Sequence, residues 1–324
     1  MKTIDVTLRE SVYCLNKINI ENALLIIDRL CDLNMDLLEY IEIGYLKSNN
    51  DSYLLNYSPS YISEAYDISN GRIKLCVMIH PEDFENHRAW DRKILKKLSL
   101  VRICVNEKNI KHTQDIINYF HDIGLKVSLN LTHISKYSFE QCQELASCAA
   151  DMGADYFYIA DSNGNLLPDE LKGYIRVIKS NANNMKVGFH AHDNLGMAQV
   201  NALTSLEEGA DILDTSILGY GKGGGNLRTE FFPLLLIKRN LLSYRSLDFN
   251  KLLDLGMFLH KHVSHCQNIE EQFRYAIYGA YDLNYEIAKQ LVSLSKKGNT
   301  DIMNLTLHYI KECENNLIKQ QLIN

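Results

Sequence analysis

Two histidines one residue apart, His190 and His192, close an apolar run in Gly188-Phe189-His190-Ala191-His192-Asp193-Asn194. On a strand, side chains two apart share a face, so both imidazoles point the same way. Such a pair can take adjacent positions around one metal ion and leave others for a carboxylate, substrate oxygens and water. An arbitrary His-x-His is more often a packed or solvated pair. Here the strand-end position, with a glycine-rich segment one βα unit later, weighs for metal. A second group is Asp5-Val6-Thr7-Leu8-Arg9-Glu10 near the N-terminus. If Asp5, Thr7 and Arg9 share a strand face, Glu10 lies at the following turn, where it can be re-aimed inward as an anionic metal ligand. Arg9 then supplies fixed positive charge for an enolate or a carboxylate. A solvated Arg-Glu pair is the plain alternative.

The third group is Gly219-Tyr220-Gly221-Lys222-Gly223-Gly224-Gly225-Asn226. Glycine at that density is entropically costly and marks backbone that approaches a ligand closely or moves over a site. Lys222 is followed by glycine, so the nucleotide P-loop spacing is not met. Phosphate binding remains an alternative, because loops after the last two strands of barrels often serve it. Asp161 and Ser162, in Ala160-Asp161-Ser162-Asn163-Gly164, offer either an orienter for Arg9 or a histidine together with a carboxylate-binding hydroxyl, or an Asx-type turn capping the next helix. His80 and His133 also end apolar runs, and we leave both outside the metal shell. Trp90 and the many tyrosines read as packing residues.

Short β-branched or apolar runs alternate with longer amphipathic stretches up to about residue 242. That alternation predicts parallel strands joined by helices. The strands drawn are 2–8, 37–46, 73–80, 100–106, 126–132, 155–161, 186–192 and 212–218. Eight such units match an α/β fold of the (β/α)8 TIM-barrel type, although a doubly wound sheet shows the same alternation. The polar residues favour the barrel, because Arg9, Glu10, Glu42, His80, Asn130, Asp161 and His190 all fall where strands run out, and a barrel gathers those ends on one face. Residues 1–242 are expected to form the catalytic barrel, and 243–324 a helical C-terminal extension with periodicity in 249–263, 269–280, 284–295 and 300–316.

With 324 residues and 46% hydrophobic content the chain can build a large core. A net charge of -6 gives no footprint for nucleic acid or an anionic membrane, so a small molecule is the expected partner. The eight cysteines lack CxxC spacing and suggest neither a zinc ribbon nor a disulfide framework. No apolar run approaches the ~18 residues of a membrane span, and the N-terminus opens on a polar strand, so we expect a cytoplasmic protein with reduced thiols.

The three groups, in this order, resemble the HMG-CoA-lyase-like metal-dependent superfamily, and within it the 4-hydroxy-2-oxovalerate aldolases. Asp5 to Glu10 is similar to the family's DxTLRDG, Asn130-Leu131-Thr132-His133-Ile134 to its MMSHM, Ile159 to Gly164 to its DSxGA turn, His190 to Leu195 to HAHHNL, and Gly223-Gly224-Gly225-Asn226 to GAGN. The likeness covers residues 4 to about 232. It implies a (β/α)8 barrel in which His190, His192 and Glu10 hold Mn2+ or Mg2+, Arg9 stabilises a pyruvate enolate, Ser162 and Asn226 help bind substrate, and Tyr281, in a segment similar to the family's AGVY, closes over it. It also implies a 2-oxo acid and an aldehyde as substrates, a homo-oligomer, and an aldehyde-processing enzyme as partner.

Departures from the pattern are informative. Glu10 replaces the family's aspartate, Ser11 its following glycine, and Tyr13 the histidine general base. Tyr13 is therefore a candidate for proton transfer or substrate orientation, with His133 next, and the substrate is expected to differ from 4-hydroxy-2-oxovalerate. The expected reaction is aldol cleavage or formation of a 4-hydroxy-2-oxo acid. The alternatives are a Claisen-type acyl-CoA-dependent 2-oxo acid acyltransferase and a non-catalytic barrel. Against a thioester lyase stands the absence of cysteine from the glycine-rich loop. Against loss of chemistry stands the retention of both histidines, Arg9 and Asn226.

Overall fold

In a computed structural model, which describes residues 1–13, 18–47, 54, 56–181, 184–263 and 269–323, the apolar runs form eight parallel strands closed in sequence order. They are β1 (Lys2–Asp5), β2 (Leu38–Tyr45), β3 (Lys74–Ile79), β4 (Leu100–Val105), β5 (Lys126–Leu131), β6 (Tyr156–Asp161), β7 (Lys186–Ala191) and β8 (Ile212–Thr215). Closure comes from β1 pairing with β8, Ile4 opposite Asp214. Helices α1 (Thr7–Glu10), α2 (Ile20–Cys31), α3 (Pro59–Ser69), α4 (Arg92–Leu95), α5 (Gln114–Asp122), α6 (Phe139–Asp151), α7 (Pro168–Asn181), α8 (Ala198–Glu207) and α9 (Phe232–Lys238) join or follow the strands. The expected (β/α)8 barrel is thus the fold.

Local sequence accounts for the helices. In α2 the Asn19 side chain accepts the Asn22 N–H, and Ala23, Ile26, Ile27 and Leu30 put one buried stripe against the sheet. In α6, Ser138 and Gln141 form a reciprocal capping box.

Two strands end three residues earlier than the sequence pattern predicts. β1 stops at Asp5, because the Asp5 carboxylate accepts both the backbone N–H (3.0 Å) and the hydroxyl (3.0 Å) of Thr7 and turns the chain into α1. Asp5, Thr7 and Arg9 therefore do not alternate along one strand face. The helical turn instead delivers Arg9 and Glu10 together, 5% and 1% exposed. β8 stops at Thr215, and Leu218 sits in the left-handed region (φ 56°), where the chain reverses into the glycine-rich loop.

The barrel interior is packed in layers drawn from alternate strands. Ile4, Tyr40, Cys76, Leu100, Tyr156, Tyr158 and Ile212 belong to one apolar cluster. Joined to it at Tyr158, the even-numbered strands each contribute one residue to a polar layer of Glu42, Arg102, Tyr158 and Asp214, with the Arg102 guanidinium 4.4 Å from the Tyr158 ring centroid. Gly188 makes room for Tyr158, whose ring would lie 2.3 Å from any Cβ there.

Helix α10 (Phe249–His262) lies against α2, with Arg29 stacked 4.6 Å over Phe258. Helices α11 (Ile269–Ala280), α12 (Tyr285–Gly298) and α13 (Ile302–Ile323) pack around Tyr278, Ala288 and Leu291. They dock on the strand C-terminal side through Asp282, which accepts from Ser135 (2.9 Å) and Asn163 (2.5 Å) in the loops after β5 and β6. Among the described residues no helix is long and apolar enough to cross a membrane.

Candidate metal centre

His190 ends β7 on the inward face, and His192, two residues on, follows it into the barrel mouth, both 6% exposed. Their Nε2 atoms face each other at 3.4 Å. The outer nitrogens decide where the protons are. His192 Nδ1 lies 3.1 Å from the Lys222 carbonyl and 3.3 Å from that of Gly225, and carbonyls only accept, so Nδ1 carries the proton. His190 Nδ1 lies 2.8 Å from Asp214 Oδ2. Burial opposes ionisation of Asp214, but Arg102 and His190 outweigh it and hold the carboxyl below its ordinary value, so His190 also carries its proton on Nδ1. Two unprotonated nitrogens therefore point at one another.

Burial pushes both imidazoles below their usual value, His192 further because His190 and Lys222 are near, so protonation does not relieve the opposed lone pairs. A cation does. Glu10 Oε1 stands 3.8 Å from His190 Nε2, and one ligand atom from each of Glu10, His190 and His192 lies within 4.8 Å of the others. One carboxylate and two neutral imidazoles, each with its far nitrogen donating to a fixed acceptor, suit a divalent cation with positions left for substrate.

The surroundings fix this trio. Glu10 Oε2 accepts the Lys222 backbone N–H at 3.1 Å, and its other oxygen meets Arg9. Arg9 Nε donates to Glu42 at 2.7 Å. Burial opposes the Arg9 charge, yet Glu42 holds the guanidinium above its ordinary value. Glu42 is shared with Arg102 (3.0 Å), which also binds Asp214 at 2.6 Å. The glycine-rich loop thus serves the centre with backbone, one N–H to Glu10 and two carbonyls to His192. Gly221 must be glycine for the loop to fold there, since a Cβ would lie 2.5 Å from the Asn226 amide.

A cavity of about 280 Å³ opens over the trio, walled by Arg9, Glu10, His80, Asn130, His133, Ser162, His190, His192 and Lys222. Ser162 accepts the His133 N–H at 2.9 Å, and its own hydroxyl proton can still donate into the cavity. His133 takes a left-handed backbone (φ 57°), and burial, then the charges of Lys222 and Lys136, pushes its pKa down to about 4, leaving a neutral imidazole. Asn226 is off this wall although its backbone bridges to His192. It is 2% exposed and donates to the Tyr220 carbonyl at 3.1 Å, so it braces the loop. Tyr281, just beyond α11, is 48% exposed and also off the wall. Asp161 accepts the N–H groups of Asn165 (3.0 Å) and Leu166 (3.2 Å), which is the turn-capping alternative rather than an orienter of Arg9 or histidine. The side chain of Tyr13 lies outside the described residues.

The orienters are Asp214 for His190 and Glu42 for Arg9, with Arg102 between them. Sequence reasoning placed Glu42 among the strand-end polar residues without a role and left Arg102 and Asp214 out. A signal was present, since Arg102 and Asp214 interrupt otherwise apolar strands, and charges so placed are buried only when paired.

The sequence profile of the HMGL-like family matches residues 92–259, the span that carries β4 to β8 and both histidines. The chain belongs to the HMGL-like family. Among curated proteins this HMGL-like chain is 33% identical over 193 residues to a 4-hydroxy-2-oxovalerate aldolase of Thermus thermophilus, covering 57% of this chain and 54% of that one. It is 31% identical over 151 residues to an oxaloacetate decarboxylase of Mycobacterium tuberculosis, covering 47% and 45%. It therefore spans about half the length of these relatives. The N-terminal domain of an aldolase-like protein from Bacteroides vulgatus superposes with a TM-score of 0.76 at 24% identity, over 92% of this chain and 98% of that one, a likeness of fold.

Proposed function

We propose that this HMGL-like chain is a divalent-metal-dependent carbon–carbon lyase that breaks, or in reverse forms, the C3–C4 bond of a 2-oxo acid by way of a pyruvate-type enolate. The observation that carries the reading is the pair of Nε2 atoms facing each other at 3.4 Å with Glu10 beside them. The names of these relatives support the bond, since an aldolase for a 4-hydroxy-2-oxo acid and a decarboxylase for oxaloacetate both part C3 from C4. The cavity of about 280 Å³ is of a size for such an acid.

Mn2+ or Mg2+ held by Glu10, His190 and His192 would supply Lewis-acid polarisation of the substrate's ketone. The remaining work falls to the protein. Arg9, clamped between Glu42 and Glu10, presents a preorganised positive charge where the enolate oxygen gains electrons. Ser162 can donate to the substrate carboxylate. When a 4-hydroxy acid is cleaved, the 4-hydroxyl loses its proton, the C3–C4 electron pair passes to the enolate, and an aldehyde leaves. The enolate is then protonated at C3. Tyr13 is our candidate for the proton at the 4-hydroxyl, because His133, with a pKa of about 4, is a weak base.

The test needs no knowledge of the aldehyde. Mn2+- or Mg2+-loaded protein should exchange the methyl protons of pyruvate with solvent deuterium, and His190→Ala and His192→Ala should lose both metal and exchange. Retention of stoichiometric metal in the double variant would overturn the centre. Absence of exchange with pyruvate and 2-oxobutyrate, together with release of thiol from acetyl-CoA and a 2-oxo acid, would establish acyl transfer instead.

A further inference from the structure

We propose that Lys222 forms a second anion subsite, so that the substrate is a 2-oxo acid bearing a further carboxylate or phosphate at the end remote from the metal. This rests on the lyase reading above and narrows it to a class of substrate.

The backbone of Lys222 is already committed to the metal centre, its N–H to Glu10 at 3.1 Å and its carbonyl to His192 at 3.1 Å. Its side chain is not needed for that. Neighbouring positions in the loop are glycine, yet here a long cationic side chain is present, partly buried, on the wall of the same cavity as Arg9, His133 and Ser162. Among the described residues no carboxylate lies within ion-pair distance of its ammonium. Its contact is the face of Tyr285, 4.5 Å away, shared with Lys289 at 4.5 Å. Burial opposes the lysine's charge, and Glu286 on α12 acts on it only from a distance. Glu82, the other carboxylate on the cavity wall besides Glu10, is exposed at the rim beside His80. A partly buried lysine on a cavity wall, with no carboxylate of the described residues in ion-pair range, is placed to take an anionic partner.

Charge balance points the same way. Arg9 and Arg102 against Glu10, Glu42 and Asp214 leave one net negative charge in the centre. A divalent cation turns this into one net positive, which the carboxylate of a simple 2-oxo acid balances. Lys222 then adds a positive charge that a monoanion leaves uncompensated and a dianion neutralises. His133, neutral beside it, neither competes for the anion nor repels it.

The experiment is calorimetric titration of Mn2+-loaded protein with two matched pairs. 2-Oxopentanoate and 2-oxoglutarate differ only in a terminal methyl against a carboxylate, and hydroxypyruvate and 3-phosphohydroxypyruvate differ in the phosphate. The wild type should favour the more highly charged member of at least one pair by about 10- to 100-fold, as expected for a charge-assisted contact. Which pair shows the preference identifies carboxylate or phosphate. In Lys222→Met the ratio should collapse towards one, and in Lys222→Arg a preference should persist. Equal affinities within both pairs for the wild type, or a ratio that survives Lys222→Met, would overturn the subsite while leaving the lyase reading in place. Should Lys222→Met not fold, the wild-type ratios and Lys222→Arg still decide. Binding of Mn2+ with none of the four acids would remove the 2-oxo acid reading itself, and the subsite with it.

Discussion

Replacing Asp214 by asparagine separates the charge of this residue from its shape. In the native barrel Oδ2 of Asp214 receives both the Arg102 guanidinium (2.6 Å) and His190 Nδ1–H (2.8 Å), at 1% exposure. With the amide oxygen in the place of Oδ2 both hydrogen bonds can persist, but the negative charge is gone. Arg102, fully buried, is left with Glu42 alone, and Glu42 is already shared with Arg9. Breaking a buried pair from one side typically costs about 3–5 kcal/mol. The persisting neutral hydrogen bonds put Asp214→Asn near the lower end of that range. His190 also loses the carboxylate that makes its Nε2 a better ligand, and disturbing such a partner weakens metal binding by about 10- to 100-fold, or ~1.4–2.8 kcal/mol. Urea denaturation reads the first quantity and titration of the metal-free protein with Mn2+ the second. Glu42→Gln is the comparison, because it takes a carboxylate from the same Arg102 without touching a histidine and reaches Glu10 only through Arg9. It should lose comparable stability and lose less metal affinity than Asp214→Asn. Wild-type Mn2+ affinity in Asp214→Asn, alongside lowered stability, would refute the argument and leave Asp214 as a structural counter-ion only.

Arg9→Lys keeps the charge but loses the fork that holds Glu42 and Glu10 at once, so pyruvate deuterium exchange should fall by about 100-fold with metal retained, and near-normal exchange would remove Arg9 from enolate stabilisation. Tyr13→Phe deletes one hydroxyl and should slow retro-aldol cleavage by about 100-fold or more, as loss of an acid–base group does; unchanged rates across the pH range would make Tyr13 a packing residue. His133 gives a stability signature. Its folded pKa of about 4 lies below the ordinary 6.5, so between those values the unfolded chain binds a proton that the folded one refuses, and stability falls as pH drops through the window. The full loss is about 2–3 kcal/mol after allowing for partial exposure. Urea midpoints of His133→Asn, which tolerates the left-handed backbone, should therefore depend less on pH between 6.5 and 4 than the wild type's, and parallel curves would contradict the shift.

What the sequence determined by itself was the part of the molecule governed by short-range periodicity. The alternation of apolar runs and amphipathic stretches is a local pattern, and it specified eight strands, while the polar residues at the strand ends favoured (β/α)8 closure over a doubly wound sheet. The two-residue repeat of a strand put His190 and His192 on one face, and the strand-end turn and family motif pointed to Glu10, whose carboxylate stands beside them. The tertiary structure decided how the chain leaves β1, where the Asp5 side chain ends the strand early, and why Asn226 braces the loop beneath the cavity instead of lining it. Above all it decided the partners of the buried charges. Glu42, Arg102 and Asp214 lie on three different strands, and nothing local to any of them says which cation meets which anion. Their pairing follows from the stagger of the closed barrel, which brings side chains of alternate strands into one layer, and that layer sets the proton on His190 and the direction of Arg9.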